Sequence, residues 1–95
     1  MIKIGEEKFS EAEVSVSYIF EINTNSDVRF ITLTDFTASK KTSYAEYYKT
    51  TKEWDGDKKD ISEIMNVLMS NKINIDNLAD GFVEVYSNGK YQEFK

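Results

Sequence analysis

The sequence predicts an α+β fold: an antiparallel sheet of about five strands, in the order β-β-β-α-α-β-β, packed against one or two helices. Three patterns carry this prediction. Apolar residues alternate along residues 14–22, they recur at helical spacing along residues 61–69, and an Asn88-Gly89 pair separates two further alternating runs. Because 95 residues suffice for one core, residues 1–95 are expected to form a single globular domain.

The first strands are predicted from a two-residue periodicity. Residues 2–4 have the pattern of a short strand, and a tight turn at Gly5-Glu6 would let the chain return from Lys8-Phe9, with residues 10–13 leading into the next strand. Residues 14–22 then form the predicted central strand, because β-branched and aromatic side chains suit a half-buried pleated surface. Alternation puts five apolar side chains on one face of this strand: Val14, Val16, Tyr18, Phe20 and Ile22.

A third strand, residues 28–36, follows a loop of five turn-forming residues. In the favoured register Phe20 opposes Phe30, and Glu21 opposes Arg29. The aromatic pair and the opposite-charge pair support each other, since each contributes about 0.2–1 kcal/mol and a one-residue slip would remove both.

The same register gives the central strand a second apolar face. Ile19, Ile31 and Leu33 would lie together there, rimmed by charged side chains. A contiguous apolar patch on a protein surface is usually covered or binds a partner. We therefore expect these three residues to contact another part of the chain or a second protein.

Residues 43–54 fit two structures. As a helix they begin with a capping box of Ser43 and Glu46, and their larger side chains fall on one stripe: Tyr44, Tyr47, Tyr48, Thr51 and Trp54. As a strand, the same tyrosines and threonines are also favourable. The cap and the spacing favour the helix, and the strand remains the alternative. Residues 55–56 would end either element.

A further helix is predicted from about Asp60 to Ser70 or Asn71. Asp60 and Glu63 form a second capping box, and apolar side chains follow at helical spacing: Ile61, Ile64, Met65, Leu68 and Met69. Residues 74–81 are expected to be a loop that contains one helical turn from Asp76.

The chain closes with a predicted hairpin around a two-residue turn at Asn88-Gly89. This turn would pair Tyr86 with Tyr91, and Glu84 with Glu93. The face toward the core would hold Val83, Val85 and Phe94. The other face would hold Phe82, Glu84, Tyr86, Tyr91 and Glu93.

The composition excludes much catalytic chemistry. The chain contains no histidine and no cysteine, so a Ser-His-Asp triad, a thiolate nucleophile and a cysteine-ligated metal cannot be built within it. The acidic loop from Asp55 fails the EF-hand pattern, because Lys59 stands at position 5 and Asn66 at position 12. Glu84 and Glu93 are better explained as a solvated surface pair than as a catalytic pair. We therefore expect no enzyme activity, no metal site and no cofactor.

Charge and hydropathy narrow the choice of partners. The formal net charge of −5 disfavours nucleic acid and anionic membranes, and it suits a basic protein. Tyrosines and lysines along residues 40–54 could stack bases, but core packing is the preferred explanation of the tyrosines. No apolar run approaches the ~20 residues of a membrane span, and no secretory signal is recognised, so a cytoplasmic protein is expected. The proline-free usage, rich in Ile, Asn, Lys and Tyr, is typical of an AT-rich coding source such as a low-GC bacterium or its phages.

The sequence therefore predicts a small acidic protein-binding module that occludes a basic partner surface. Immunity proteins and phage anti-defence inhibitors have this size, charge and lack of catalytic residues. The predicted interface consists of Phe82, Glu84, Tyr86, Tyr91 and Glu93, together with Ile19, Ile31 and Leu33. The alternative is a structural or assembly subunit, for example of a phage particle, that forms a homo-oligomer through its strand edges.

Overall fold

A computed structural model describes residues 15–94 of the chain. They form six strands, one α-helix and a 3₁₀ turn: β1 (Val16–Asn25), β2 (Val28–Asp35), β3 (Lys41–Tyr48), β4 (Glu53–Gly56), α1 (Lys58–Ser70), the 3₁₀ turn (Ile75–Asn77), β5 (Gly81–Tyr86) and β6 (Tyr91–Phe94). This arrangement confirms the predicted α+β class with an antiparallel sheet. The predicted opening hairpin, residues 10–13 that follow it, and Val14 at the start of the predicted central strand lie outside the described residues.

The strands pair in the order β4-β3-β2-β1-β5-β6, and every neighbouring pair is antiparallel. The first four form a meander of successive hairpins, and β5 joins it by pairing with β1. β1 is therefore an interior strand with a neighbour on each side, as the prediction of a central strand requires. Within residues 15–94 no helix has the length and the apolar content needed to cross a membrane.

The turn between β1 and β2 contains two residues, Ser26 and Asp27, where five were predicted. Ser26 has a positive φ of 60°, and tight turns with positive φ match the natural twist of antiparallel strands. Asp27 is held by Thr50, whose backbone N–H and hydroxyl donate to its carboxylate at 2.9 and 2.6 Å. The shorter turn makes the predicted register wrong by three residues.

Because the register is shifted by an odd number of residues, every side chain of β2 lies on the opposite face of the sheet from the predicted one. Phe20 opposes Leu33 and Ile22 opposes Ile31, and all four side chains are fully buried. Their burial, worth about 1.5–3 kcal/mol for each large apolar side chain, outweighs the cross-strand pairs on which the prediction rested. The predicted patch is consequently wrong, because Ile31 and Leu33 belong to the core and only Ile19 stays on the other side of the sheet.

Residues 43–48 belong to β3 and residues 53–54 to β4, with a turn between them, so the favoured helix is wrong and the strand alternative describes most of the segment. Ser43, Ala45 and Tyr47 are buried in alternation along β3. Tyr47 also opposes Trp54 on β4, with ring centroids 4.8 Å apart. β3 pairs with β2 at eight positions, and this pairing together with the buried face outweighs a capping box that is worth about 1 kcal/mol.

α1 begins three residues before the predicted start, because its N-cap is Asp57 and not Asp60. The Asp57 carboxylate accepts a hydrogen bond from the backbone N–H of Lys59 at 2.8 Å. Asp60 instead accepts from the backbone N–H of Tyr44 at 3.2 Å, which fastens the helix to β3. The helix ends at Ser70, within the predicted range, and three of its side chains are buried: Ile64, Val67 and Leu68.

A buried arginine fixes the segment between α1 and β5 to the sheet. Arg29 is only 5% exposed and lies on the core side of β2. Its guanidinium donates to the main-chain oxygens of Ile75 and Leu78 at 2.6 and 2.7 Å. It also donates to the Thr24 hydroxyl at 2.9 Å and to Asp80 at 3.0 Å. Hydrogen bonds from Thr24 and then from Arg29 hold the pKa of Asp80 below its usual range.

A second contact holds the 3₁₀ turn. The Asp76 carboxylate accepts from the Tyr47 hydroxyl at 3.2 Å and from the Lys52 ammonium at 3.1 Å. The Lys52 hydrogen bond lowers the pKa of Asp76, and burial raises the pKa of Tyr47. The helical turn predicted from Asp76 is thus a 3₁₀ turn that starts at Ile75.

The turn between β5 and β6 contains three residues where two were predicted. The backbone N–H of Tyr86 donates to the Lys90 oxygen at 2.7 Å, and that of Gly89 donates to the Tyr86 oxygen at 2.9 Å. Gly89 has a φ of 87°, as a three-residue hairpin with a left-handed glycine requires. The register moves by one, so Glu84 opposes Gln92 and the predicted pairing of two glutamates is wrong. Like charges directly opposite each other are unfavourable, which agrees with the observed register.

Candidate protein-binding face

The side of the sheet opposite α1 is the candidate site, and we call it the open face. Residues that oppose each other across strands share a face, so the pairing defines its membership. It consists of the odd positions 19–25 of β1, the even positions 28–34 of β2 and 42–48 of β3, residues 53 and 55 of β4, and the even positions 82–86 and 92–94 of β5 and β6. The alternate positions face α1 and the core.

All charged side chains at these open-face positions are negative. Five positions carry a carboxylate and none carries lysine or arginine: Glu21, Glu46, Glu53, Asp55 and Glu84. The described cations lie in turns, on α1, or on the core side of the sheet, where Arg29 and Lys41 are found. Folding therefore places acidic and basic side chains on different surfaces, a separation that the net charge alone does not reveal.

The five carboxylates follow one diagonal of the sheet. With ~4.8 Å between strands and ~3.3 Å per residue, the register puts Glu84 and Glu53 at its two ends, about 28 Å apart. Glu21, Glu46 and Asp55 lie between them, at successive spacings of about 8, 12, 5 and 7 Å along the diagonal. Most of these gaps do not exceed the Debye length of ~8 Å at physiological salt, so a partner would meet one continuous negative stripe.

Exposed aromatic side chains flank the acids. Phe82 and Phe94 oppose each other across β5 and β6 and are 49% and 40% exposed. Tyr44 lies on the other side of the acidic stripe and is 42% exposed. Aromatic side chains dominate the energetics of many protein interfaces, because they bury a large area at a low cost in conformational entropy.

Two tyrosines on the open face are hydrogen-bonded to its acids. The Tyr86 hydroxyl donates to Glu84 at 2.8 Å, and the Tyr44 hydroxyl donates to Glu46 at 3.1 Å. The bond to Glu84 raises the pKa of Tyr86, while desolvation and then the bond to Glu46 raise the pKa of Tyr44. Both phenols stay protonated at neutral pH and orient their carboxylates, which reduces the entropy that those carboxylates lose on binding.

The structure separates the residues of the predicted interface. Phe82, Glu84, Tyr86 and Ile19 lie on the open face. Tyr91 and Glu93 lie on the opposite face at the edge of the sheet, because the register of the last hairpin differs by one residue. Ile31 and Leu33 are inaccessible in the core, and Phe94, which was predicted to face the core, is exposed.

Sequence reasoning missed most of the acidic stripe. Glu46 was assigned to a helix cap, and Glu53 and Asp55 to the end of that helix. Glu46 alternates with the buried Ala45 and Tyr47, so the strand alternative already predicts that Glu46 lies on the face opposite the core. Once residues 41–56 are read as two strands, three of the five acids fall on one face.

The chain also has a shallow apolar groove at the C-terminal end of α1. It encloses about 360 Å³ and is lined mainly by Trp54, Met65, Met69 and Ile73, with Lys72 at its border. No carboxylate or hydroxyl side chain lines it, and Lys72 is the one titratable side chain in its lining. Among the described residues, no three acidic side chains gather in a way that could hold a metal ion.

Comparison of the chain with protein-family models, with curated proteins and with solved structures finds no match.

Proposed function

We propose that this protein is a non-catalytic cytoplasmic binding module that occludes a basic surface of a partner protein and thereby inhibits it. The observation that carries the proposal is the open face, on which five carboxylates and several exposed aromatic side chains occur without a single cation. Complementary charge steers association and selects the partner, and desolvated aromatic anchors supply affinity.

The dimensions of the open face suit a protein partner. Six strands at ~4.8 Å spacing span about 24 Å, and the eight residues of β2 extend about 26 Å. The product is about 600 Å² of projected area, which is of the same order as the ~800 Å² that each partner contributes to a standard interface. A broad sheet face of this kind fits against a convex or grooved surface better than it encloses a small molecule.

The test uses two double variants with equal charge changes. Glu21→Lys with Glu84→Lys alters the open face, and Glu63→Lys with Glu93→Lys alters positions away from it. Each variant raises the formal net charge by four, from −5 to −1. Among the described residues Glu63 pairs with Lys41 at 3.4 Å, and the two side chains are 28% and 49% exposed. Pairs near the surface contribute about 1 kcal/mol or less, so we expect the control to remain folded.

Each tagged variant is used to capture partners from a lysate of a low-GC bacterium, at a series of salt concentrations. We expect a partner that wild type and the control variant retain, that the open-face variant loses, and that salt releases. The captured protein is then purified, and its binding constant and activity are measured with and without each variant. Equal binding by the two double variants would contradict the role of the open face, and unchanged activity of the bound partner would contradict inhibition.

Self-assembly is the second candidate function. It is favoured by β6, which ends the described sheet and whose four residues are all exposed. Exposed strand edges pair readily with other strands. In sedimentation of the wild-type chain over a concentration series, growth into rings or filaments would support this candidate, whereas a species of one or two chains would argue against a structural subunit.

A further inference from the structure

The outer edge of β6 has a hydrogen-bonding pattern that is fixed by its turn. The N–H of Tyr86 donates to the oxygen of Lys90, so these residues form a hydrogen-bonded pair. Antiparallel pairs alternate between bonded and non-bonded, so Gln92 and Phe94 also direct their backbone groups toward β5. The N–H and C=O groups of the two intervening residues, Tyr91 and Glu93, point outward, away from β5.

We propose that this outer edge pairs antiparallel with β6 of a second copy, around a twofold axis that passes through Gln92 and is perpendicular to the sheet. Tyr91 of each copy then opposes Glu93 of the other. Each of these two pairs exchanges two backbone hydrogen bonds, so the four bonds engage every outward N–H and C=O of Tyr91 and Glu93. This dimer would join two sheets edge to edge. It rests on the self-association through β6 that is the second candidate function, and it does not depend on the open face binding a basic partner.

Neighbouring registers are less favourable. An axis through Glu93 would place two glutamates directly opposite each other, which is destabilising. An axis through Tyr91 would bring Glu93 opposite Gly89, whose φ of 87° lies outside the β region, so the ladder could not continue. An axis between two residues would place side chains of opposite sheet faces together. Self-complementarity therefore selects the axis through Gln92.

The side chains agree with this axis. Gln92 meets its own copy, where the two amides can donate and accept in turn. Phe94, which is 40% exposed, opposes Lys90 of the second copy, an arrangement that suits a cation–π contact. The two Glu84 carboxylates, one strand further in, would be about 14 Å apart, which is beyond the ~8 Å Debye length at physiological salt.

The dimer is expected to be weak and to strengthen with salt. One four-residue strand per copy is a small interface beside the ~1,200 Å² of a stable complex. Each copy also carries a net charge of −5, so repulsion opposes association until salt screens it. Binding of a basic partner has the opposite salt dependence, which keeps the two proposals experimentally separate.

Cysteine cross-linking tests the axis directly. In a non-hydrogen-bonded antiparallel pair the Cα atoms are ~4.5 Å apart, within the ~4.4–6.8 Å range of disulfides. The chain has no cysteine of its own, so Gln92→Cys introduces a unique thiol on the proposed axis. Asn88→Cys, in the exposed turn beside β6, is the matched control. We expect Gln92→Cys to form the disulfide-linked dimer at least about tenfold faster in a glutathione redox buffer.

Proline tests the backbone bonds. In Glu93→Pro the missing N–H is an outward one, so the ladder to β5 stays complete while two of the four interchain bonds disappear. Glu93→Gln retains the N–H and serves as the control. Sedimentation from about 10 µM to 1 mM should show association of wild type and Glu93→Gln, and a dissociation constant about tenfold or more higher for Glu93→Pro.

Three results would overturn the proposal. They are a monomeric wild type at 1 mM, equal cross-linking rates at positions 88 and 92, and association that Glu93→Pro leaves unchanged. Circular dichroism verifies that Glu93→Pro is folded. If it is not, the cross-linking comparison and the wild-type sedimentation decide the question without it.

Discussion

Replacing Arg29 with methionine should lower the free energy of unfolding by about 3–5 kcal/mol. Methionine keeps most of the buried aliphatic stem, so the change isolates the guanidinium and its hydrogen bonds. The oxygens of Ile75 and Leu78 lose donors at 2.6 and 2.7 Å, and Thr24 and Asp80 lose theirs at 2.9 and 3.0 Å. Each unsatisfied buried acceptor costs about 1–3 kcal/mol, so we expect a total of about 3–5 kcal/mol.

Urea unfolding, followed by far-UV circular dichroism, measures this loss. A chain of 95 residues is expected to have about 5–14 kcal/mol of unfolding free energy. With a slope of about 1–3 kcal/mol per molar urea, the midpoint should fall by about 2 M. Asp80→Asn is the matched control: its side chain is 51% exposed in the ion pair with Arg29, so its replacement should cost about 1 kcal/mol or less.

The comparison between the two variants tests the reasoning. If Arg29→Met costs less than about 1 kcal/mol, the main-chain oxygens are not stabilised by the guanidinium in the way the geometry implies. If Asp80→Asn costs as much as Arg29→Met, the ion pair and not the carbonyl contacts carries the stability. Either result would refute the claim that this arginine holds the segment between α1 and β5 in place.

Three further predictions concern the core, acid stability and the last turn. Ile31→Ala should cost about 2–5 kcal/mol in urea unfolding, whereas Ile19→Ser, on the open face, should cost about 1 kcal/mol or less; equal costs would favour the register with Ile31 outside the core. The pKa values of Asp76 and Asp80 are lowered in the folded state. Their contribution to the free energy of unfolding is therefore complete above the unfolded-state pKa of ~3.9, and it is lost as the pH falls from there through the lower folded-state pKa. The melting temperature of the variant with Asp76→Asn and Asp80→Asn should therefore decline less between pH 5 and 2 than that of wild type. Parallel curves of melting temperature against pH would contradict this. Gly89→Ala should cost about 1 kcal/mol because of the positive φ of Gly89, with no steric clash to add to it, and a neutral effect on the unfolding midpoint would contradict the turn geometry.

Sequence periodicity predicted the elements whose structure depends on their own side chains. The alternation along β1 and the helical spacing from Ile61 to Met69 both correspond to observed elements, because each encodes one buried face. The antiparallel sheet and the α+β class follow from these faces together with the Asn88-Gly89 turn. These predictions succeed because the periodicity of a segment is a property of that segment alone.

Register and the 43–54 segment could not be predicted in the same way. The position of β2 beside β1 depends on a two-residue turn that is held by Thr50, which comes from a hairpin 23 residues further along the chain. Residues 43–54 carry a local cap for a helix, and only the availability of β2 as a pairing partner decides for a strand. Both outcomes depend on contacts between residues that are far apart in the sequence, and the pattern within one segment does not reveal such contacts.

These two misassignments also explain why the candidate site was only partly predicted. The acidic stripe exists because acids from β1, β3, β4 and β5 share one face. Glu46, for example, joins it only if β3 is a strand, and only if β2 is turned so that Phe30 lies beside Glu46. The residues of a surface that four strands form can be predicted only if the register of each strand is predicted correctly.

The pairing of β1 with β5 has a consequence for the order in which the chain folds. β5 begins at Gly81, 56 residues after β1 ends at Asn25, whereas β1 and β2 are joined by two residues. Closing the longer loop costs about 3 kcal/mol more in chain entropy than closing the shorter one. The β1–β4 meander can therefore assemble from local turns, and the β5–β6 hairpin docks late, bringing Val83 and Val85 against the uncovered side of β1. During synthesis on the ribosome, the core would remain open until the last strands had emerged, and mutations in β5 should mainly speed unfolding while leaving the folding rate nearly unchanged.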